Sequence, residues 1–177
     1  MSNISMTTSK RNAIVTVMLI SAFVSMLNQT ILNTALPAII KGLNITETTA
    51  QWLITGFMLV NGIMIPLTAF LMDKYSTRHL YIFSMAIFLI GSIVAAFSPT
   101  FTILMISRII QAIGAGILLP LMQFTVFTLF PAEQRGFAMG LAGVVVQSAP
   151  AIGPTLTGLF VDLFSWRMPF YLSLIHI

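Results

Sequence analysis

The charged residues of this 177-residue chain are few and unevenly placed, and their spacing limits the possible folds more than any other feature. Asp, Glu, Lys and Arg are absent from residues 12–40, 48–72, 79–107, 109–132 and 136–161. A helix that crosses a bilayer needs about 20 mostly apolar residues. One buried core helix could explain one such run, but not five. In lipid the runs must be helical, because unpaired backbone N–H and C=O groups find no water there.

Composition removes the soluble alternatives. Hydrophobic residues make up 58% of the chain and charged residues 7%, against about 25% charged in a soluble domain. Mean hydropathy is +1.01. So few charges cannot cover a water-facing surface, which excludes a soluble enzyme and a disordered tail. The net charge of +4 would suit nucleic acid, but the basic residues are scattered and form no stripe. The partner implied is the lipid bilayer, not nucleic acid. Without cysteine there are no disulfides.

These features predict an all-α membrane protein with five full transmembrane helices plus a truncated sixth. The expected spans are residues 13–36, 51–72, 80–97, 101–122 and 137–161. Pro37 is expected to close the first, and Ser98-Pro99-Thr100 to separate the third from the fourth. Residues 123–130 read as apolar surplus leading to Pro131-Ala-Glu-Gln-Arg135. A sixth span begins near Met168. The division is a cytoplasmic tail (1–12), an incomplete transmembrane bundle (13–171) and an end segment (172–177). The first apolar run is too long for the h-region of a cleaved signal peptide, so it is retained as a helix.

Basic residues set the orientation. With the N-terminus inside, Lys10, Arg11, Lys74, Arg78 and Arg135 are cytoplasmic, and only Lys41 and Arg167 lie outside. Asp73-Lys-Tyr-Ser-Thr-Arg78 and Asp162-Leu-Phe-Ser-Trp-Arg167 share the pattern Asp-x-aromatic-Ser-x-Arg and fall on opposite sides. An inverted three-plus-three repeat has this property, and such repeats mark secondary transporters.

Few residues in the spans could carry chemistry. Arg108 lies well inside the fourth span. A charge near the bilayer centre costs about 2.5–3.5 kcal/mol on insertion scales, so it must face the bundle interior, a watered cavity or a partner. Gln111 follows three residues later, and Ala112, Ala115 and Gly116 share roughly that face. Asn28, Gln29 and Asn33 cluster in the first span, where amides either bond across helices or line a cavity. Arg108 is expected near Asn28. In the fifth span, Ala149, Gly153 and Thr157 recur on one face, while Pro150 and Pro154 remove backbone donors and bend the helix. Asp73 and Arg78 could form a charge lock at a cytoplasmic helix end. No His-x-x-x-His and no paired intramembrane carboxylates occur, so neither an enzyme, a cofactor nor a metal is expected.

Four motifs, in order, resemble those of the major facilitator superfamily. Ala69-Phe-Leu-Met-Asp73-Lys-Tyr-Ser-Thr-Arg78 is similar to its loop motif, Gly-x-Leu-Ala-Asp-Arg-x-Gly-Arg-Lys. Arg108-Ile-Ile-Gln111-Ala-Ile-Gly114-Ala-Gly116 resembles its fourth-helix motif, and Ala149-Pro-Ala-Ile-Gly153-Pro154-Thr-Leu-Thr-Gly158 its fifth-helix antiporter motif. Leu27-Asn28-Gln-Thr-Ile-Leu-Asn33-Thr-Ala-Leu-Pro37 looks like the first-helix signature of the fourteen-span drug:proton antiporters, the EmrB/QacA type.

The resemblance implies the N-terminal half of a transporter core in a bacterial plasma membrane, exporting small hydrophobic or cationic compounds against protons. An importer or symporter of the same superfamily is the alternative. It further implies that Arg108, Gln111 and Asn28 take part in proton coupling and transport. Asp73 and Arg78 would lock the cytoplasmic gate, and Gly153, Pro154 and Gly158 would let the fifth helix seal and reopen. The pattern is not complete. Asn28 stands where the first-helix motif often has Asp, Ala69 and Ser76 replace the loop glycines, and Ala112 replaces a fourth-helix glycine. The expected spans hold no embedded carboxylate, so proton carriage rests on residues beyond this chain or on Asp73. In the family the stretch after Trp166-Arg167-Met-Pro-Phe-Tyr171 continues as an apolar helix. Here the sixth span has only about ten residues, too few to cross a bilayer core, and the family's Asn-x-Pro does not follow, so a non-native tail at 172–177 and a missing C-terminal half are expected.

Overall fold

A computed structural model describes residues 7–163 and Tyr171. The sixth span expected near Met168, the tail 172–177 and the Asp162–Arg167 side chains of the repeat motif lie outside the described residues. Five helices follow one another: α1 (Thr8–Leu43), α2 (Glu47–Lys74), α3 (Thr77–Ala96), α4 (Phe101–Leu129) and α5 (Ala132–Leu163). All five are long and apolar enough to cross a membrane, and the described residues contain no strand.

Helix ends sit where polar caps stand. Thr46, Ser76 and Thr100 accept hydrogen bonds from the backbone N–H groups of Thr49, His79 and Ile103, opening α2, α3 and α4. Ser76, which replaces a glycine of the loop motif, is therefore a helix cap. Asn44 ends α1 in the left-handed region, at φ 50°, a conformation that asparagine tolerates better than most residues.

Three sequence expectations need correction. Pro37 does not close α1, which continues to Leu43. Residues 123–130 are not surplus, because α4 runs through them to Leu129. The first helix starts at Thr8 and not at residue 13. For Pro37 the reason is that proline breaks a helix less readily in a bundle, where neighbours can satisfy a freed carbonyl. Pro120 illustrates this. It has no N–H for the Gly116 carbonyl, and the Thr68 hydroxyl of α2, which donates to the Met64 carbonyl at 2.7 Å, shares its proton with that oxygen at 3.3 Å.

The interior is mostly apolar, as in a water-soluble protein, but the exterior is apolar too. Arg108, Gln111, Ser92, Ser107, Ser84 and Thr68 are fully buried, while Leu59, Ile63, Phe83, Ile90 and Val144 are more than half exposed. Such an apolar exterior suits lipid or a further packed layer. Helix α4 lies along α2 and α3, α1 lies along α5, and α1–α4 contacts join the two groups. Exchanging α1 with α4 and α2 with α5 converts the α1–α5 pair into the α4–α2 pair, which is the pairing an inverted repeat requires.

Glycines set the closest approaches. A Cβ on Gly114 would stand 2.6 Å from the Ser84 carbonyl oxygen, and one on Gly91 would stand 2.8 Å from the Gln111 backbone nitrogen. These two positions bring α3 and α4 nearly to backbone contact. At one end of the bundle the Arg11 guanidinium lies 4.3 Å from the Phe130 ring centroid, fastening the start of α1 to the α4–α5 turn.

Candidate functional site

The helix contacts converge on Arg108. It lies two turns into α4 and is 0% exposed. Its Nη1 donates to Asn28 Oδ1 of α1 at 2.9 Å and to Gln111 Oε1 of its own helix at 2.7 Å. Gln111 Nε2 in turn donates to Ser92 Oγ of α3 at 2.9 Å, and Ser92 Oγ donates to the Phe88 carbonyl at 2.9 Å. The guanidinium carbon lies 4.1 Å from the centroid of the Phe57 ring of α2. Side chains from α1, α2, α3 and α4 thus surround one cation.

The local sequence explains the geometry. Arg108 and Gln111 are three residues apart, so both project from one face of α4. Gly91 and Gly114 let α3 approach closely enough for Ser92 to meet Gln111. The cation–π contact with Phe57 is strengthened by desolvation. Asn28, Gln111 and Phe57 are all neutral. Its Nε is buried and has no hydrogen-bond partner among the described residues. A buried donor left in this state can receive a water, a ligand or a mobile anionic group.

The other expected site residues divide into two groups. Gly153 faces α1, where a Cβ would stand 2.8 Å from Thr30 Cγ2. Ala149 and Thr157 are buried on the same face, with the Thr157 hydroxyl donating to the Gly153 carbonyl at 2.7 Å. Pro154 is exposed, and a Cβ on Gly158 would meet nothing within 4 Å. Helix α5 therefore has one packed small-residue face and one open one. Asp73, in the last turn of α2, and Arg78, in the first turn of α3, are both exposed and stand apart from the Arg108 cluster.

Of the first-span amides only Asn28 reaches Arg108; Gln29 is half-buried and Asn33 exposed. Sequence reasoning missed Ser92 and Phe57. Neither carries a distinguishing signal, since serine and phenylalanine are common in apolar helices. The spacing of Ser84, Gly91 and Ser92 on α3 was the available hint.

Comparisons with known proteins agree with this architecture. The family model described as Major Facilitator Superfamily matches residues 18–176. The uncharacterized MFS-type transporter YcnB of Bacillus subtilis (strain 168) is 55% identical over 93% of this chain and 35% of its own length. The lincomycin resistance protein LmrB of the same organism is 44% identical over 89% of the chain and 33% of its length. The probable multidrug resistance protein EmrY of Escherichia coli (strain K12) is 34% identical over 87% of the chain and 30% of its length. The chain thus spans about a third of the length of these relatives. In fold it is similar to a bacterial homolog of the human lysosomal transporter Spinster, with a TM-score of 0.73, 14% identity, and coverage of 97% of this chain and 42% of that one. Five membrane-length helices around a buried arginine, matched along nearly their whole length by the family model, lead to one conclusion: this multi-pass chain belongs to the major facilitator superfamily, whose members are transporters rather than enzymes.

Proposed function

We propose that this chain is the N-terminal part of a proton-coupled multidrug exporter working by alternating access, with a further bundle of the same protein completing the transport path. The single observation that carries the reading is the fully buried Arg108, held by the neutral side chains of Asn28 and Gln111. An intramembrane cation without a fixed counter-charge is costly and suits a transport pathway. Its field favours a carboxylate or anion arriving from elsewhere in the protein, which makes it sensitive to proton movement. Glu47, Asp73, Glu133 and Asp162 all lie at helix ends, so a carboxylate that carries protons at the midplane comes from the remainder of the protein.

The names of LmrB and EmrY support drug export as the cargo. Asp73 and Arg78 act at the α2–α3 turn as the gate lock, on the cytoplasmic side of a bacterial plasma membrane with the N-terminus inside. Gly153 and Pro154 bend α5 where it slides on α1, and Gly158 faces the other half. The test is accumulation of Nile red in cells expressing the full reading frame. Energised cells should accumulate less dye than control cells, and collapsing the proton gradient should remove the difference. Greater accumulation in energised cells would favour the importer or symporter reading instead.

A further inference from the structure

Two cavities flank Met26 of α1 and Leu119 of α4, which line both. One, of about 240 Å³, lies between α1, α2 and α4, and the other, of about 260 Å³, lies between α1, α4 and α5. Together they form a cleft near the middle of the helices. Gln29 and Asn61 face the first cavity, and Gln123 and Gln147 face the second. Neither cavity is lined by a charged side chain among the described residues.

These four amides differ from the Asn28–Arg108–Gln111–Ser92 chain. None of them makes a hydrogen bond to the described residues. Gln29 and Asn61 are half-buried and Gln123 and Gln147 exposed, so all four are open to a solute in the cleft. Each offers both a donor and an acceptor, so it can pair with a hydroxyl, amide or carbonyl, but it gives a cation no counter-charge. Met58, Met122 and Met139 complete an adaptable apolar lining. The nearest formal charge is positive. Phe57 lines the first cavity, and its ring lies 4.1 Å from the Arg108 guanidinium carbon.

We propose that this cleft binds uncharged, hydrogen-bonding amphiphiles and disfavours cations, with Gln29, Asn61, Gln123 and Gln147 as the specificity-determining amides. The proposal rests on the efflux reading and narrows its substrate class. Cations are repelled by the Arg108 side of the cleft and find no carboxylate among the described residues that line it. Neutral solutes with hydroxyl or amide groups satisfy the four side chains and bury their apolar parts against methionine.

The test compares chloramphenicol, which is neutral and bears hydroxyl and amide groups, with tetraphenylphosphonium, a permanent cation without donors or acceptors. The complete transporter is assayed for binding in detergent and for efflux from cells. Chloramphenicol should be bound and exported in preference. Asn61→Asp should lower the chloramphenicol-to-tetraphenylphosphonium ratio about tenfold or more, by replacing a neutral amide with a counter-charge. Asn61→Leu with Gln147→Leu should weaken chloramphenicol binding about tenfold while the protein level in the membrane stays constant. Preferential handling of tetraphenylphosphonium by the wild type would overturn the proposal and leave the efflux reading standing. Unchanged chloramphenicol binding in the leucine variants would also overturn it, because the amides would then pack against the rest of the protein. Binding of chloramphenicol without export would support the cleft and overturn the efflux reading.

Discussion

Replacing Gly114 with alanine should drive α3 away from α4. The added Cβ would stand 2.6 Å from the Ser84 carbonyl oxygen and 2.9 Å from both the amide nitrogen and the Cβ of Phe88. All but the Phe88 Cβ are backbone atoms, so no side-chain rotation relieves the clash. Ordinary contact begins near 3.4 Å, so α3 must retreat by about 0.8 Å. The Gln111–Ser92 hydrogen bond, 2.9 Å long, would open to about 3.7 Å, beyond bonding distance. Overpacking costs about 1–3 kcal/mol, and an interhelical bond in a membrane protein is worth about 0.6–1.7 kcal/mol. Alanine recovers about 1 kcal/mol through helix propensity. The net loss is about 1–3 kcal/mol, and efflux should fall with it because Gln111 also holds Arg108. Unfolding of the complete transporter by graded denaturing detergent measures the first effect, and dye efflux measures the second. Gly62→Ala is the control for the unfolding measurement, since a Cβ there meets nothing within 4 Å. If Gly114→Ala proves as stable as Gly62→Ala, the close α3–α4 approach is wrong.

Other substitutions separate packing from transport. Thr68→Val removes the hydroxyl that covers the Gly116 carbonyl, and should cost about 1 kcal/mol in the same unfolding assay. Asn28→Ala should cost about 1–3 kcal/mol, because a buried guanidinium N–H loses its partner, and efflux should drop in parallel. Asp73→Asn and Arg78→Ala sit at exposed positions, so they should slow efflux without moving the unfolding midpoint. Gly158→Ala meets no atom of the described residues within 4 Å, so stability of this bundle should be unchanged, and any loss of transport reports a contact made elsewhere in the protein.

Much of the bundle was legible because lipid imposes a rule that charge spacing obeys directly. The uncharged runs located all five helices, and the insertion cost of Arg108 pointed it inward to Asn28, where it lies. The helix ends were harder to read. Proline was taken as a stop at Pro37, yet in a bundle the freed carbonyls find other donors, as Gly116 does at Thr68. The far partners were not legible at all. Ser92 joins the site only because Gly91 and Gly114 allow α3 to approach, and Phe57 only because α2 packs on α4. Those are tertiary facts, and neither residue type is unusual in an apolar helix. Gly153 and Gly158 look equivalent in sequence, but one is pressed against Thr30 and the other faces open space.

The role of Arg108 is tested most directly by efflux from cells expressing the complete transporter with Arg108→Ala, alongside measurement of its amount in the membrane. Removing a buried charge eases insertion, so the amount should equal or exceed that of the wild type. Efflux should be abolished, because every other Lys and Arg of the described residues lies near a helix end and the Asn28 and Gln111 acceptors lose their shared donor. Efflux at the wild-type rate, from a variant present at the wild-type level, would contradict the assignment of Arg108 to the transport machinery.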